Sequence, residues 1–372
     1  MDSDTYQAIM KLRNYLRVAQ DMGYSWAWVD AHCMDKTNAV ELLESISSMF
    51  EWYSNAAITV VYLADVQNSS ETQLLASDWF QRIWTLQELL APRAILLFNS
   101  DWTPFRRWEC HNRNDKCDSR MLELLEKASR IDKESLRNFR PNVDMAREML
   151  AWASGREATR KEGAGYGLMN LFGVRLRVDY GEREGAFGRL LLKIYERTKN
   201  PSLFDWTSNG NSLSSSPVNS AFPAHPSCYR TPSNSITASV QSIPNISPTP
   251  LQVTCSVYNI QKIKPNNGVR YFQTNQWDVT ATGFEPLQVH PTDIEEYRER
   301  SEYALVLACQ RVKSAEAKSS FRPMLLEKNK DGTYRRIPTT IPITAIPHTS
   351  FLERLVTPIS KIRRKTETIT IL

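Results

Sequence analysis

The chain has 372 residues, with 41% hydrophobic and 23% charged side chains and 46 Lys+Arg against 41 Asp+Glu. At roughly 150 residues per domain this length predicts two domains with a buried core, and it excludes a small disulfide-stapled module and a globally disordered chain. A net charge of +5 is too small for a polybasic nucleic-acid binder, and no apolar run reaches the roughly 20 residues of a membrane helix. The Met-Asp-Ser-Asp start has no basic n-region, so a cytoplasmic protein with no membrane span and no nucleic-acid partner is expected.

In chain order, Tyr6, Ile9, Met10, Leu12, Leu16 and Ala19 follow helical spacing up to a stop at Gly23. Trp26 to Val29 reads as a buried strand ending at Asp30. Asn38 with Glu41 three residues on matches a capping box, and Leu42, Leu43, Ile46, Met49, Phe50 and Tyr53 form the apolar stripe of the helix it opens. A second strand, Ile58 to Leu63, ends near Asp65; a helix runs from Trp79 to Leu89; a third strand is Ala94 to Phe98. Strands separated by single helices pair in parallel with right-handed crossovers, giving an α/β sheet whose ligands bind beyond the strands' carboxyl ends. Asp30 and Asp65 stand at those ends, where an acid also serves as an ordinary turn former.

From Leu122 to Arg197 the pattern is mostly helical, and Gly163-Ala-Gly-Tyr-Gly167 in that stretch is read as close-packing glycine rather than as a phosphate cradle. Nine of the ten Trp lie at or before Trp206 and sixteen of the nineteen Pro at or after Pro201, which marks a boundary. The Ser/Pro-rich residues 207–250 read as linker. Leu251 to Ile260, Gly268 to Phe272, Trp277 to Thr280 and Ala304 to Cys309 read as short antiparallel strands, with a hairpin turn at Asp331-Gly332. The expected organisation is therefore a core at 1–110, a helical continuation at 111–206, a linker at 207–250 and a β-rich domain at 251–372.

The six cysteines are too scattered for a disulfide framework, and Cys110, His111 and Cys117 lack the paired spacing of a structural zinc site, so no metal is expected. Cys33, beside His32, is read as a buried thiol rather than a nucleophile. Most tryptophans, Trp26, Trp28, Trp52 and Trp79 among them, are read as packing, with Trp84 held as a site wall. The basic end Lys361 to Lys365 is read as a solvated tail.

Several of these segments carry a family likeness. Trp28 to Lys36, Glu41 to Tyr53, Val61 to Asp65 and Trp79 to Pro92, followed by Met149 to Arg160, Tyr166 to Val174, Tyr180 to Glu182, Ala186 to Leu190 and Ser202 to Trp206, resemble in order and spacing the fungal heterokaryon incompatibility (HET) domain. Three differences stand out. Family members open with a strand resembling Y-x-x-L-S-H-x-W-G, and this chain starts in the helix after it, so the sheet is expected to lack its first strand. Lys161-Glu-Gly163 stands where Arg-Glu-Asp is common, and Asn170 where Gly is usual.

The resemblance implies a TIR-like, flavodoxin-like, mostly parallel sheet flanked by helices. It also implies a role in non-self recognition and programmed cell death in fungi, through self-association or another incompatibility protein. Some TIR domains cleave NAD with one Glu on a helix behind a short Trp-containing motif; Glu88 in Trp84-Thr-Leu-Gln-Glu88 is the matching position. On that basis Glu88 is the expected catalytic residue, Asp30, Asp65 and Trp84 are expected ligand contacts, and NAD enters as a substrate rather than a bound cofactor. Two alternatives stand beside it: a Glu88 that is a plain helix-surface acid or is paired with Arg82 or Arg93, and a truncated, inactive relative that only binds others.

Overall fold

The computed structural model describes residues 3–107, 113–207, 215–230 and 324–338, together with the backbone of further strands between 251 and 371. Cys110 and His111, the strand expected at Trp277 to Thr280, and Lys361 to Lys365 lie outside the described residues. The chain forms two compact units, Met1–Pro141 and Asn142–Leu372.

The first unit opens with helix α1 (Ser3–Asp21). It ends as its sequence requires: Gly23 takes a φ of +84°, and the Tyr24 N–H closes on the Ala19 carbonyl at 3.0 Å. The expected strand at Trp26 to Val29 is absent. Val29 is extended, but the segment has no strand neighbour among the described residues and passes into a single helical turn, α2 (Asp30–Cys33). An extended stretch becomes sheet only where a partner takes its backbone hydrogen bonds. Two readings fall with it, because Trp26 is 93% exposed and Cys33 is an exposed thiol.

Helix α3 (Ala39–Asn55) begins where the cap predicts. Asn38 Oδ1 accepts the N–H groups of Val40 and Glu41, while Glu41 reaches back past the cap to the Asp35 N–H at 2.8 Å. Strands β1 (Thr59–Tyr62) and β2 (Ile95–Phe98) pair in parallel, Thr59 opposite Ile95 and Tyr62 opposite Phe98, and form the one sheet among the described residues of this unit. The crossover holds α4 (Glu71–Ala76), a 3-10 turn (Asp78–Gln81) and α5 (Thr85–Leu90). The single helix expected from Trp79 is therefore broken at Arg82 to Trp84. The Thr85 hydroxyl accounts for the break, standing 2.5 Å from the Trp79 carbonyl and 2.7 Å from that of Arg82, where continuing helix would have supplied N–H donors.

The outer edge of β2 is closed without a third strand. Asn114 Oδ1 accepts the Ile95 N–H at 3.2 Å, Asp115 Oδ2 accepts the Leu97 N–H at 2.7 Å, and the Phe105 and Asp115 N–H groups fill the Leu97 and Ile95 carbonyls. Side chains and loop thus blunt an edge that would otherwise pair with other chains. Ile46, Leu63, Leu74, Leu86, Leu89 and Leu97 pack the core, beneath α6 (Ser119–Ser129) and α7 (Lys133–Asn138). This is a small mixed α/β unit.

The second unit contains α8 (Ala146–Ala153), α9 (Gly163–Met169) and α10 (Gly185–Thr198). The glycine-rich stretch is the buried helix α9. A Cβ on Gly165 would lie 2.6 Å from the Ala186 backbone, so glycine is what permits α9 and α10 to touch. Residues 215–230, within the stretch read as linker, are packed: Phe222 and Tyr229 are fully buried, and Arg336 donates to the Ala221 carbonyl.

The β-rich part consists of β3 (Leu251–Asn266), β4 (Val269–Thr274), β5 (Leu287–Val289), β6 (Tyr303–Arg311), β7 (Ser320–Lys328), β8 (Tyr334–Arg336) and β9 (Thr366–Ile371). Its pairings are antiparallel apart from one parallel contact of β8 with β9, and β9 returns to β3, so the sheet closes on itself. The hairpin at Gly332 is present, with φ +84°. No helix is long and apolar enough to cross a membrane among the described residues.

Candidate functional site

Helix α5 is nearly all core: Leu86, Gln87, Leu89 and Leu90 are buried, and Glu88 alone on that turn keeps part of its surface. A carboxylate held this way loses most of its hydration, and burial is the chief reason its pKa is pushed up to about 7. Arg82 opposes the rise, Asp30 adds to it, and Lys11 and a hydrogen bond from the Trp79 indole oppose it again. Glu88 is thus a largely desolvated acid poised near neutrality, under the influence of two cations and a second acid.

Four separate pieces of chain bring these groups together: α1 supplies Lys11, the turn at α2 supplies Asp30, the 3-10 turn and the break after it supply Trp79 and Arg82, and α5 supplies Glu88. Tyr53 on α3 stands among them. Its phenol is held well above the ordinary range by burial first, then by the negative charges of Glu88 and Asp30. Behind it is an aromatic wall. Trp28 packs edge-on against Trp52 at 5.2 Å and Tyr53 at 5.8 Å, and the Tyr15 hydroxyl donates to the Trp28 carbonyl at 3.0 Å.

The four residues singled out from sequence have different surroundings. Glu88 and Asp30 act on each other. Asp30 also stands 3.9 Å from Lys36, both half exposed, a pairing worth little in water. Asp65 is engaged elsewhere: its two oxygens take the Ser77 hydroxyl at 2.8 Å and the Asp78 N–H at 2.7 Å. Trp84 is half-buried at the start of α5. The indole that bonds Glu88 belongs to Trp79, which sequence reasoning assigned to packing. Lys11 and Tyr53 were missed as site residues as well, because each is an ordinary member of a helix pattern until the chain is folded; Arg82 entered the sequence reading only as a candidate ion-pair partner of Glu88. Among the described residues no cluster of three His, Cys, Asp or Glu side chains is placed to hold a metal ion.

What one buried carboxylate can do depends on the leaving group. Beside a cationic ring carbon it stabilises developing positive charge without a general acid, and flanking cations favour an anionic ligand.

Residues 1–74 match the family model described as heterokaryon incompatibility protein (HET). The amino-terminal stretch of the chain is thus similar to the HET family. The first 74 residues hold Lys11, Asp30 and Tyr53, while Glu88 and Trp79 follow the matched stretch. The chain is also 34% identical over 203 residues to the vegetative incompatibility protein HET-E-1 of Podospora anserina, an alignment covering 50% of this chain and 14% of that protein. No solved structure matches it.

Proposed function

We propose that this HET-domain chain acts in the cytoplasm as an effector of fungal incompatibility, in non-self recognition leading to programmed cell death. Its chemistry is NAD cleavage at Glu88 on a TIR-like unit. The observation that carries this reading is the burial of Glu88 among Asp30, Arg82, Lys11 and Trp79, with a pKa of about 7.

In the reaction the bond between the ribose anomeric carbon and the nicotinamide nitrogen breaks, and nicotinamide leaves with the electron pair as a neutral ring. Glu88, ionised, stabilises the oxocarbenium-like ribose. Water then adds to the anomeric carbon and releases one proton, giving ADP-ribose and free nicotinamide. Asp30 is suited to accept from ribose hydroxyls, and the Trp79 hydrogen bond holds the Glu88 carboxylate in one orientation. Asp65, engaged by Ser77 and Asp78, enters as a support for the turn that presents Trp79.

The test is nicotinamide release by purified protein at high concentration. Wild-type protein is expected to release it and Glu88→Gln to lose at least about a hundredfold in rate, as a positioned electrostatic stabiliser does; equal release by both proteins rejects the reading. Expression in a fungal host is expected to reduce viability with the wild type and not with Glu88→Gln.

Self-association is supported by a separate feature: Tyr6, Ile9 and Leu16 on α1 and Trp26 after it are large apolar side chains left exposed. Ile9→Glu with Leu16→Glu is expected to shift the sedimentation of the full chain toward monomer. Unchanged sedimentation of a self-associating wild type would reject α1 as the contact.

A further inference from the structure

Two turns in this chain follow one plan and differ at one position. Asn99 to Thr103 and Asn329 to Thr333 both read Asn-x-Asp-x-Thr. The first N–H donates to the last carbonyl at 2.9 Å in one and 2.8 Å in the other, and the Asn side chain donates to the Thr hydroxyl oxygen at 3.0 Å and 2.9 Å. In both, the Asp carboxylate accepts the Thr hydroxyl at 2.6 Å. The fourth residue of each is left-handed, with φ +84° at Gly332 and +64° at Trp102. Glycine adopts that backbone freely, whereas a bulky side chain is strained there. Trp102 is therefore not what the turn itself asks for.

What the position gains is a ring. The indole of Trp102 lies flat on Tyr62, centroids 4.3 Å apart and planes within 14°, and Lys11 Nζ stands 5.2 Å from the Tyr62 centroid. Tyr62 is the last residue of β1 and Trp102 follows the end of β2, so the stack stands beyond the carboxyl ends of the parallel pair, where open α/β sheets take ligands. Both rings are half-buried. The Lys11 ammonium also belongs to the group of charges around Glu88.

We infer that Tyr62, Trp102 and Lys11 form a nucleotide subsite of the Glu88 site, the Trp102 indole, backed by Tyr62, stacking on a base and the ammonium meeting a phosphate. This deepens the reading of Glu88 given above and rests on it for the identity of the reacting end. Stacking accepts any base through its π face, and Lys11 supplies a point charge for phosphate, so the subsite selects phosphorylated over uncharged nucleosides.

The experiment titrates the full chain with ADP-ribose and with adenosine by calorimetry, with thermal unfolding measured in parallel. Wild type is expected to bind ADP-ribose. Trp102→Gly weakens it by about tenfold or more without lowering the melting temperature, and Trp102→Phe, which keeps a ring, binds within about threefold of wild type. Lys11→Ala, on an exposed helix face, weakens ADP-ribose by about tenfold and leaves adenosine unchanged. Absence of ADP-ribose binding by wild type, or equal binding by wild type and both Trp102→Gly and Lys11→Ala, overturns the subsite. Binding that depends on Trp102 without nicotinamide release by any protein retains the subsite and rejects Glu88 catalysis. Nicotinamide release with unchanged KM in Trp102→Gly and Lys11→Ala does the reverse.

Discussion

The Ser77 hydroxyl donates to Asp65 Oδ1 at 2.8 Å, and the other oxygen of that carboxylate accepts the Asp78 N–H at 2.7 Å. Asp65 thereby ties the loop after β1 to the start of the 3-10 turn that carries Trp79. Asp65→Ala is expected to cost about 1–2 kcal/mol, read as a lower urea midpoint at unchanged m-value.

Glu88 and Lys116 give the first unit opposite pH slopes. Glu88 binds its proton more tightly folded, with a pKa of about 7 against 4.5, so between these values the folded state holds more protons and stability falls as pH rises. Lys116, buried with its Nζ on the Pro92 carbonyl, is lowered from 10.5 to about 7 by burial. Over that range the unfolded state holds more protons, so stability rises with pH. A stability minimum near pH 7 is expected in denaturation curves, each limb worth up to a few kcal/mol. Glu88→Gln flattens the acid limb and Lys116→Met the alkaline limb.

The proposed NAD cleavage carries a second pH signature. If ionised Glu88 is the stabilising group, nicotinamide release rises with pH to a plateau with an apparent pKa near that of Glu88. A rate independent of pH from about 5 to 9 would remove Glu88 from that role.

Gly165→Ala is expected to disrupt the second unit, because its Cβ meets the Ala186 backbone carbon and oxygen at 2.6 Å and neither can step aside. A loss above about 3 kcal/mol, or failure to fold, is the expected result by circular dichroism. Gly188→Ala is milder, since its nearest obstacle is the Ser216 hydroxyl, which rotates.

Arg336 is buried, donates to the carbonyls of Phe204, Ala221 and Trp206, and lies 3.9 Å over the Trp206 ring. Lysine keeps the charge but not the planar fork. Arg336→Lys is expected to cost roughly 3 kcal/mol, followed through urea unfolding by tryptophan fluorescence.

The amino-acid sequence determined the features whose physics is local. The Gly23 stop, the Asn38 cap of α3 and the Gly332 hairpin each depend on residues within a few positions of one another, and the runs that form β1 and β2 were legible from their own apolar, β-branched residues although their pairing spans the crossover. Glu88 was singled out through its family motif. Trp26 to Val29 was misread because apolar, aromatic residues favour extended chain whether or not a strand lies beside them, and only the fold determines that. The broken helix at Arg82 depends on where the Thr85 hydroxyl turns. Above all, the setting of Glu88 belongs to tertiary structure: Lys11, Asp30, Tyr53 and Trp79 lie far apart along the chain, and the electrostatics of a buried carboxylate are set by whichever charges folding brings near it.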